Sequence, residues 1–284
     1  MADRLVDIVA QVQNVRQLEA VVTAMRGIAA SRAQKARSLL AGVEAYSQVV
    51  SRAIGEALSL LPVDAPAALV RSRAKPALIL FCAEQGFAGA FSERVLEAAG
   101  NVDQATVFVV GQRGATVARE RAIEPAWSEP MAGHVDAVPS FANRLADDLY
   151  EYVARGEVDE VEILYARSAS TGCTEVERHS LLPIDFGRFG RPPRHEAPLI
   201  SLSPDTLLER LAEEYVYAEL CEAALHAYAA ENEARMIAML EARTNIEAKL
   251  TDLSNRERQR RQQEITTEVV ELAAGAEAAK TARR

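Results

Sequence analysis

Four histidines, three cysteines and one glycine-bearing turn are the groups with which this chain could do chemistry. The turn, residues 84–91 (EQGFAGAF), follows a short apolar run and precedes a helical pattern. A phosphate-binding loop sits at that place in a nucleotide-binding sheet, because the first N–H groups of the helix can meet an anion there. The third glycine of GxGxxG is missing at its offset, and so is the Lys-Ser/Thr pair of a P-loop, so the better reading is a close-packed structural turn. His134, His179, His195 and His226 are scattered. They form no HExxH, have no ligand spacing to Cys82, Cys173 or Cys221, and no GxSxG elbow accompanies them. An odd number of distant cysteines without a CxxC pair implies free thiols, each a small buried side chain, in a reducing compartment. Carboxylate pairs such as Asp147-Asp148 and Glu213-Glu214 fall on helical patterns and read as solvated faces. The expectation is therefore no catalytic residue, no bound cofactor and no metal.

Positive charge is more informative. In a chain of formal charge −9, Arg26, Arg32, Lys35 and Arg37 cluster near one end and Arg256, Arg258, Arg260 and Arg261 near the other. Net acidity argues against nucleic acid or an anionic bilayer as a partner. Two local reversals of sign fit a surface facing an acidic protein, where charge steers and orients more than it strengthens binding.

The elements that must carry these clusters are helical. Residues 203–275 hold no proline after Pro204, and apolar side chains return every three or four positions, from Leu207 and Leu211 to Ile265, Val269 and Leu272. Ser203 suits an N-cap, Pro204 the first helical position and Asp205 the helix dipole, while Gly275 reads as the stop. At about 1.5 Å per residue such a helix is roughly 100 Å long, so its apolar stripe needs a second helix beside it. Residues 3–61 supply one, through Leu5, Ile8, Val12, Val15, Leu18, Val22, Met25 and their successors. Gly27, Gly42 and Gly55 are expected to let the second helix approach closely. The pair runs antiparallel, and both basic clusters are expected on it outside the sheet domain.

Between the helices the pattern changes. Short apolar runs at 77–82, 106–110, 160–166 and 174–182 predict strands, and 91–99 and 136–155 predict helices. Residues 62–76 read as a proline-bearing linker and 185–198 as a loop. The expected fold class is α/β: a long antiparallel coiled coil of the N- and C-terminal helices plus a small Rossmann-like α/β domain. Its divisions are 1–61, 76–198 and 203–284. A hydrophobic share of 49% supports a sizeable core, and an aromatic share of only 5% favours helices packed through small side chains. No apolar run approaches the roughly 20 residues that span a bilayer, and no targeting peptide is expected.

Four blocks resemble one known family, the gamma subunit or central stalk of F-type rotary ATP synthases. Residues 13–36 (QNVRQLEAVVTAMRGIAASRAQKA) are similar to the family's QNTQKITKAMxMVAASKxxKA, and 85–91 (QGFAGAF) to its RGLCGGF/L. Residues 233–239 (EARMIAM) resemble xAARMxAM, and 261–270 (RQQEITTEVV) resemble RQxxITxEI. The blocks keep the family's order and spacing over nearly the whole chain. The resemblance implies a coiled coil inserted into a ring of alternating alpha and beta subunits. The α/β domain would stand at its foot, beside the epsilon subunit and the membrane c-ring. It further implies a non-catalytic subunit that binds no nucleotide and transmits torque, coupling ion transport to ATP synthesis or hydrolysis.

Carried over by position, Met25, Arg32 and Lys35 on the first helix and Arg261, Gln262 and Thr266 on the last match sites that meet the beta subunits, and Arg256, in the basic cluster beside them, is expected to face the same acidic neighbours. Leu199, Ile200 and Leu202 match the foot on the membrane ring. Asn255, Glu257 and Arg260 depart from the family, making this surface more polar and more basic, as in a divergent, alternate bacterial form. The implied location is the cytoplasmic face of a bacterial inner membrane, peripheral to it. The rival reading is a stand-alone α/β nucleotide-binding protein with coiled-coil arms, which the Gly86 turn would have to serve.

Overall fold

Proline-free sequence at both ends folds into two long helices, α1 (Leu5–Leu60) and α5 (Pro204–Thr281). The computed structural model describes residues 5–61, 75–168, 174–190 and 199–281. Ser203 caps α5: its Oγ accepts the Thr206 N–H at 3.3 Å and its carbonyl accepts the Leu207 N–H at 2.9 Å. Pro204 needs no such acceptor, and Asp205 sits against the positive end of the dipole. Gly275 does not end the helix, which continues to Thr281. A single glycine costs about 1 kcal/mol, too little to stop a helix whose neighbours on both sides are alanines.

Two compact units divide the chain. One joins Met1–Ile28 to Ile237–Arg284 and the other is Ala29–Met236. In the first, burial follows a heptad seam. Ile8 and Val12 are buried on α1, with Val15 and Val22 partly so; Met239 and Leu253 are buried on α5, with Ile246 midway at intervals of seven. That is the period of a left-handed coiled coil. Leu18, expected in the stripe, is 55% exposed, and Glu19 stands in its place. From Ile8 the alternating steps of four and three arrive at 19, and register outweighs the preference of one leucine.

In the second unit α1 and α5 run antiparallel. Arg37 pairs with Glu233, while Tyr46, farther along α1, donates to Glu214 and meets the Tyr217 ring edge-on at 6.5 Å. Farther still, Val50, Ile54 and Leu58 bury against Tyr215. The expectation that these glycines admit the second helix fails at all three positions, although Gly55 does meet a close neighbour. A Cβ at Gly27 or Gly42 would meet nothing within 4 Å, whereas one at Gly55 would lie 2.2 Å from the Gly190 carbonyl, part of a loop and not of a helix. Gly42→Ala is accordingly expected to stabilise the chain by about 0.5–1 kcal/mol, because it removes backbone freedom from the unfolded state without a clash. A urea midpoint that falls would show a close neighbour at that position.

The same unit carries a five-stranded sheet. Its strands are β1 (Lys75–Phe81), β2 (Thr106–Val110), β3 (Trp127–Glu129), β4 (Val158–Ser168) and β5 (Thr174–Leu182), in the order β3-β2-β1-β4-β5. The first four are parallel neighbours and β5 runs antiparallel to β4, with Ile79 opposite both Phe108 and Ile163. Alternation sends Ile79, Phe81, Phe108 and Val110 to a core shared with α4 (Val138–Ala154) and α5. Leu78, Leu80, Val107 and Val109 go to the opposite core, beneath α2 (Phe91–Ala99) and α3 (Gln112–Glu120). Neither α3 nor β3 was expected: α3 offers little beyond alanines and Val117 to a periodicity search, and β3 is three residues long. Residues 62–74 of the predicted linker, Cys173, His195 and the 191–198 part of the predicted loop lie outside the described residues, and the linker's last two residues, Lys75 and Pro76, open β1 instead. Residues 186–188 of that loop form a 3-10 turn, and Phe189 buries against Tyr215.

Candidate functional site

The turn after β1 is held by side chains from the far end of the sequence. Arg235 on α5, 5% exposed, donates from Nε to the Gly86 carbonyl at 3.2 Å and from Nη2 to the Gln85 carbonyl at 3.0 Å. Its Nη1 reaches Asn232 Oδ1 at 3.2 Å, and Nη2 also pairs with Glu231. Glu231 Oε1 in turn accepts the Gln85 N–H at 3.2 Å. Glu84 accepts the N–H groups of Gln112 at 3.1 Å and Met131 at 2.8 Å, and Ser92 Oγ accepts that of Ala83 at 3.1 Å. Phe87 and Gly89 take positive φ, +62° and +58°, to make the bend.

The backbone groups that could cradle a phosphate at Gln85 and Gln112 are thus engaged with carboxylates, which occupy the place of an anion's oxygens. A cavity of about 250 Å³ beside the turn is lined by both Glu93 and Arg113. Burial, with Glu93 and Glu231 nearby, pushes the Cys82 thiol up to about 12, so at neutral pH it is a packing group and not a nucleophile. Burial also raises Tyr46 and Tyr150 to about 12, and these too stay neutral.

The residues expected to meet partners fall in different settings. Met25 is half-buried in the first unit and Arg32 half-buried in the second. Lys35 pairs with Asp136, in the 3-10 turn that leads into α4, and Arg37 pairs with Glu233 and donates to Ser168 of β4 at 3.4 Å. The expectation that this cluster lies clear of the sheet domain is therefore overturned for Lys35 and Arg37. Past residue 29, α1 lies within the sheet-bearing unit, where acids from later elements meet its cations.

Arg256 and Arg261 are exposed on α5 and pair four residues back, with Asp252 and Glu257, at 3.0 Å each. Exposed pairs of this kind contribute about 0.3–0.5 kcal/mol, so either arginine exchanges readily to another acid. Gln262 is exposed, and its carbonyl accepts Thr266 Oγ1 at 2.8 Å. Leu199, Ile200 and Leu202 are exposed, Leu199 completely so. Sequence reasoning also missed a set. Ile265, Val269 and Leu272, assigned to the helix-pairing stripe, are 55%, 58% and 74% exposed. Their spacing was visible, but periodicity does not say whether the covering surface belongs to the same chain. Among the described residues no helix is long and apolar enough to cross a membrane.

Known proteins place this geometry. The family model described as ATP synthase matches residues 4–279. The chain is 29% identical to the ATP synthase gamma chain of Kineococcus radiotolerans, with 94% of both chains covered. It is 26% identical to the ATP synthase gamma chain of Bacteroides thetaiotaomicron, over 95% of this chain and 98% of that one. Its fold is similar to a chain of the Euglena gracilis mitochondrial ATP synthase, with a TM-score of 0.69 at 14% identity over 99% of this chain and 96% of that one. A chain from the central stalk and c-ring of the Tetrahymena thermophila mitochondrial enzyme matches at a TM-score of 0.53 and 18% identity, over 78% of this chain and 99% of that one. With the family's pattern running through both long helices and the sheet between them, the chain belongs to the ATP synthase family, and its similarity to the gamma chains extends from end to end.

Proposed function

We propose that this chain is the central rotor stalk of an F-type ATP synthase, a non-catalytic subunit that transmits torque between a membrane ring and a catalytic hexamer. The observation that carries the reading is the end of α5. A folded helix presenting Ile265, Val269 and Leu272 beside Arg256 and Arg261 to solvent calls for an enclosing partner with apolar and acidic surfaces. The partners are the alpha and beta subunits around the helical ends 1–61 and 203–284. The epsilon subunit and a c-ring lie at the 76–198 domain, with Leu199, Ile200 and Leu202 in the foot. The setting is the cytoplasmic face of a bacterial inner membrane. Rotation then acts on each catalytic site by offering it a different side of an asymmetric helix pair, which shifts the population of its conformations.

The test mixes the purified chain with alpha and beta subunits from its own organism. One copy should join each hexamer and raise its ATPase rate, and a chain that stays apart sinks the proposal. Arg32→Glu combined with Arg261→Glu should lower the stimulated rate about tenfold or more while moving the unfolding free energy by less than about 2 kcal/mol, since Arg261 is exposed and contributes little to stability, and Arg32 is only half-buried. Loss of folding in that variant would overturn the assignment of these arginines to a partner surface. The rival nucleotide-binding reading is disfavoured by Glu231 and Glu84, which already accept the N–H groups of Gln85 in the turn and Gln112 at the start of α3. Micromolar binding of ATP to the isolated chain would revive it.

A further inference from the structure

Away from the helix end, a polar cluster joins α1 to α5 within the sheet-bearing unit and serves none of the contacts described so far. His226 is 5% exposed, and its Nε2 has no hydrogen-bond partner. Leaving a buried ring nitrogen unpaired is costly, so its persistence calls for a ligand. The ring is held flat on Tyr165, with centroids 5.7 Å apart and planes 14° from parallel. Its Nε2 faces Glu222 Oε1, one helical turn earlier, at 3.9 Å. That separation is too long for a hydrogen bond.

Glu44 reaches in from α1, and one ligand atom from each of the three residues lies within 4.8 Å of the others. Donors spaced this way need only a small contraction to share one ion at bond lengths of about 2.0–2.2 Å. The neighbouring basic side chains are already engaged: Arg167 and His179 lie 3.4 and 3.2 Å from Glu177.

We propose that Glu44, Glu222 and His226 form a binding site for a divalent transition metal of the zinc class, clasping α1 to α5. One imidazole with two carboxylates is a borderline donor set that favours Zn²⁺ over Mg²⁺ or Ca²⁺. The partly exposed rim at Glu44 leaves a fourth position to water. Because two ligands come from one helix and the third from the other, the ion binds the paired state and not the unfolded chain.

Calorimetric titration of the tag-free, metal-stripped full chain with ZnCl₂ tests this. One site per chain is expected, and Co²⁺ in its place should give the absorption bands of a low-coordinate site. Zinc at one hundred times its Kd should reduce the unfolded fraction about a hundredfold. Glu222→Gln and His226→Ala should each weaken binding tenfold or more. Glu44→Gln, a change at the surface that leaves the core intact, should do the same and keeps the test valid if His226→Ala fails to fold. No binding to the natural chain overturns the proposal, as does a zinc affinity in Glu44→Gln and Glu222→Gln equal to that of the natural chain.

Discussion

Arg235→Ala is expected to destabilise the chain by about 3–5 kcal/mol, a large part of the 5–15 kcal/mol that holds a typical domain together. The side chains of Arg235 and Glu231 are only 6% and 4% exposed. Truncating the arginine leaves a buried carboxylate without its counter-ion and the Gln85 and Gly86 carbonyls without their donor. The penalty belongs to the abandoned partners more than to the lost bonds. Arg235→Met together with Glu231→Leu, which removes both charges, should therefore cost less than Arg235→Ala alone. Arg235→Lys should recover little, because an ammonium cannot reach two carbonyls and a carboxylate in one plane. Urea unfolding at constant m would show the ordering. If Arg235→Ala lost under about 1 kcal/mol, the turn would have to be held by something else.

Gly114→Ala is expected to cost about 3 kcal/mol, at the upper end for overpacking. A Cβ at Gly114 would stand 2.0 Å from the Cys82 Cβ and 3.3 Å from its Cα, so α3 could not keep its seat on the end of β1. Neither atom is the free end of a flexible side chain, and relief requires backbone movement. Cys82→Gly in the same chain removes the obstructing atom. The double variant should therefore be more stable than the sum of the two single changes predicts, by at least about 1 kcal/mol in a double-mutant cycle. Strict additivity would show that α3 shifts without strain. The contrast with Gly42→Ala, expected to stabilise, separates a glycine required by a close approach from one that merely loosens a helix.

The two long helices were legible because their evidence is local and repeated. An N-cap serine, a first-turn proline and dozens of periodic apolar positions all agree, so one misleading residue such as Gly275 cannot reverse them. The strands β1, β2, β4 and β5 were legible for the same reason, each being a local run with strand-forming residues in it. Strand β3 and helix α3 were not, since three residues and a nine-residue helix whose one large apolar side chain is Val117 carry too little pattern to rise above their surroundings. Leu18 and Glu19 show a subtler limit. Which one enters the seam depends on the accumulated phase of the heptads from Ile8, and composition at the site points the wrong way.

The candidate site divides similarly. That the 84–91 turn was structural could be argued from missing motif residues, but its builder, Arg235, lies 149 residues beyond Gly86. Nothing in the local sequence of either names the other. The basic clusters were visible as charge, yet only tertiary contacts separated Lys35 and Arg37, taken up by Asp136 and Glu233, from Arg256 and Arg261 on the exposed helix end. The sequence alone determined the helices, most of the sheet and the family, since periodicity, capping and ordered motifs act over a few residues or in linear order. Tertiary structure decided which charges are spent internally, which apolar stripe stays uncovered and which glycine is indispensable. Each of these depends on what a distant part of the chain brings within about 4 Å.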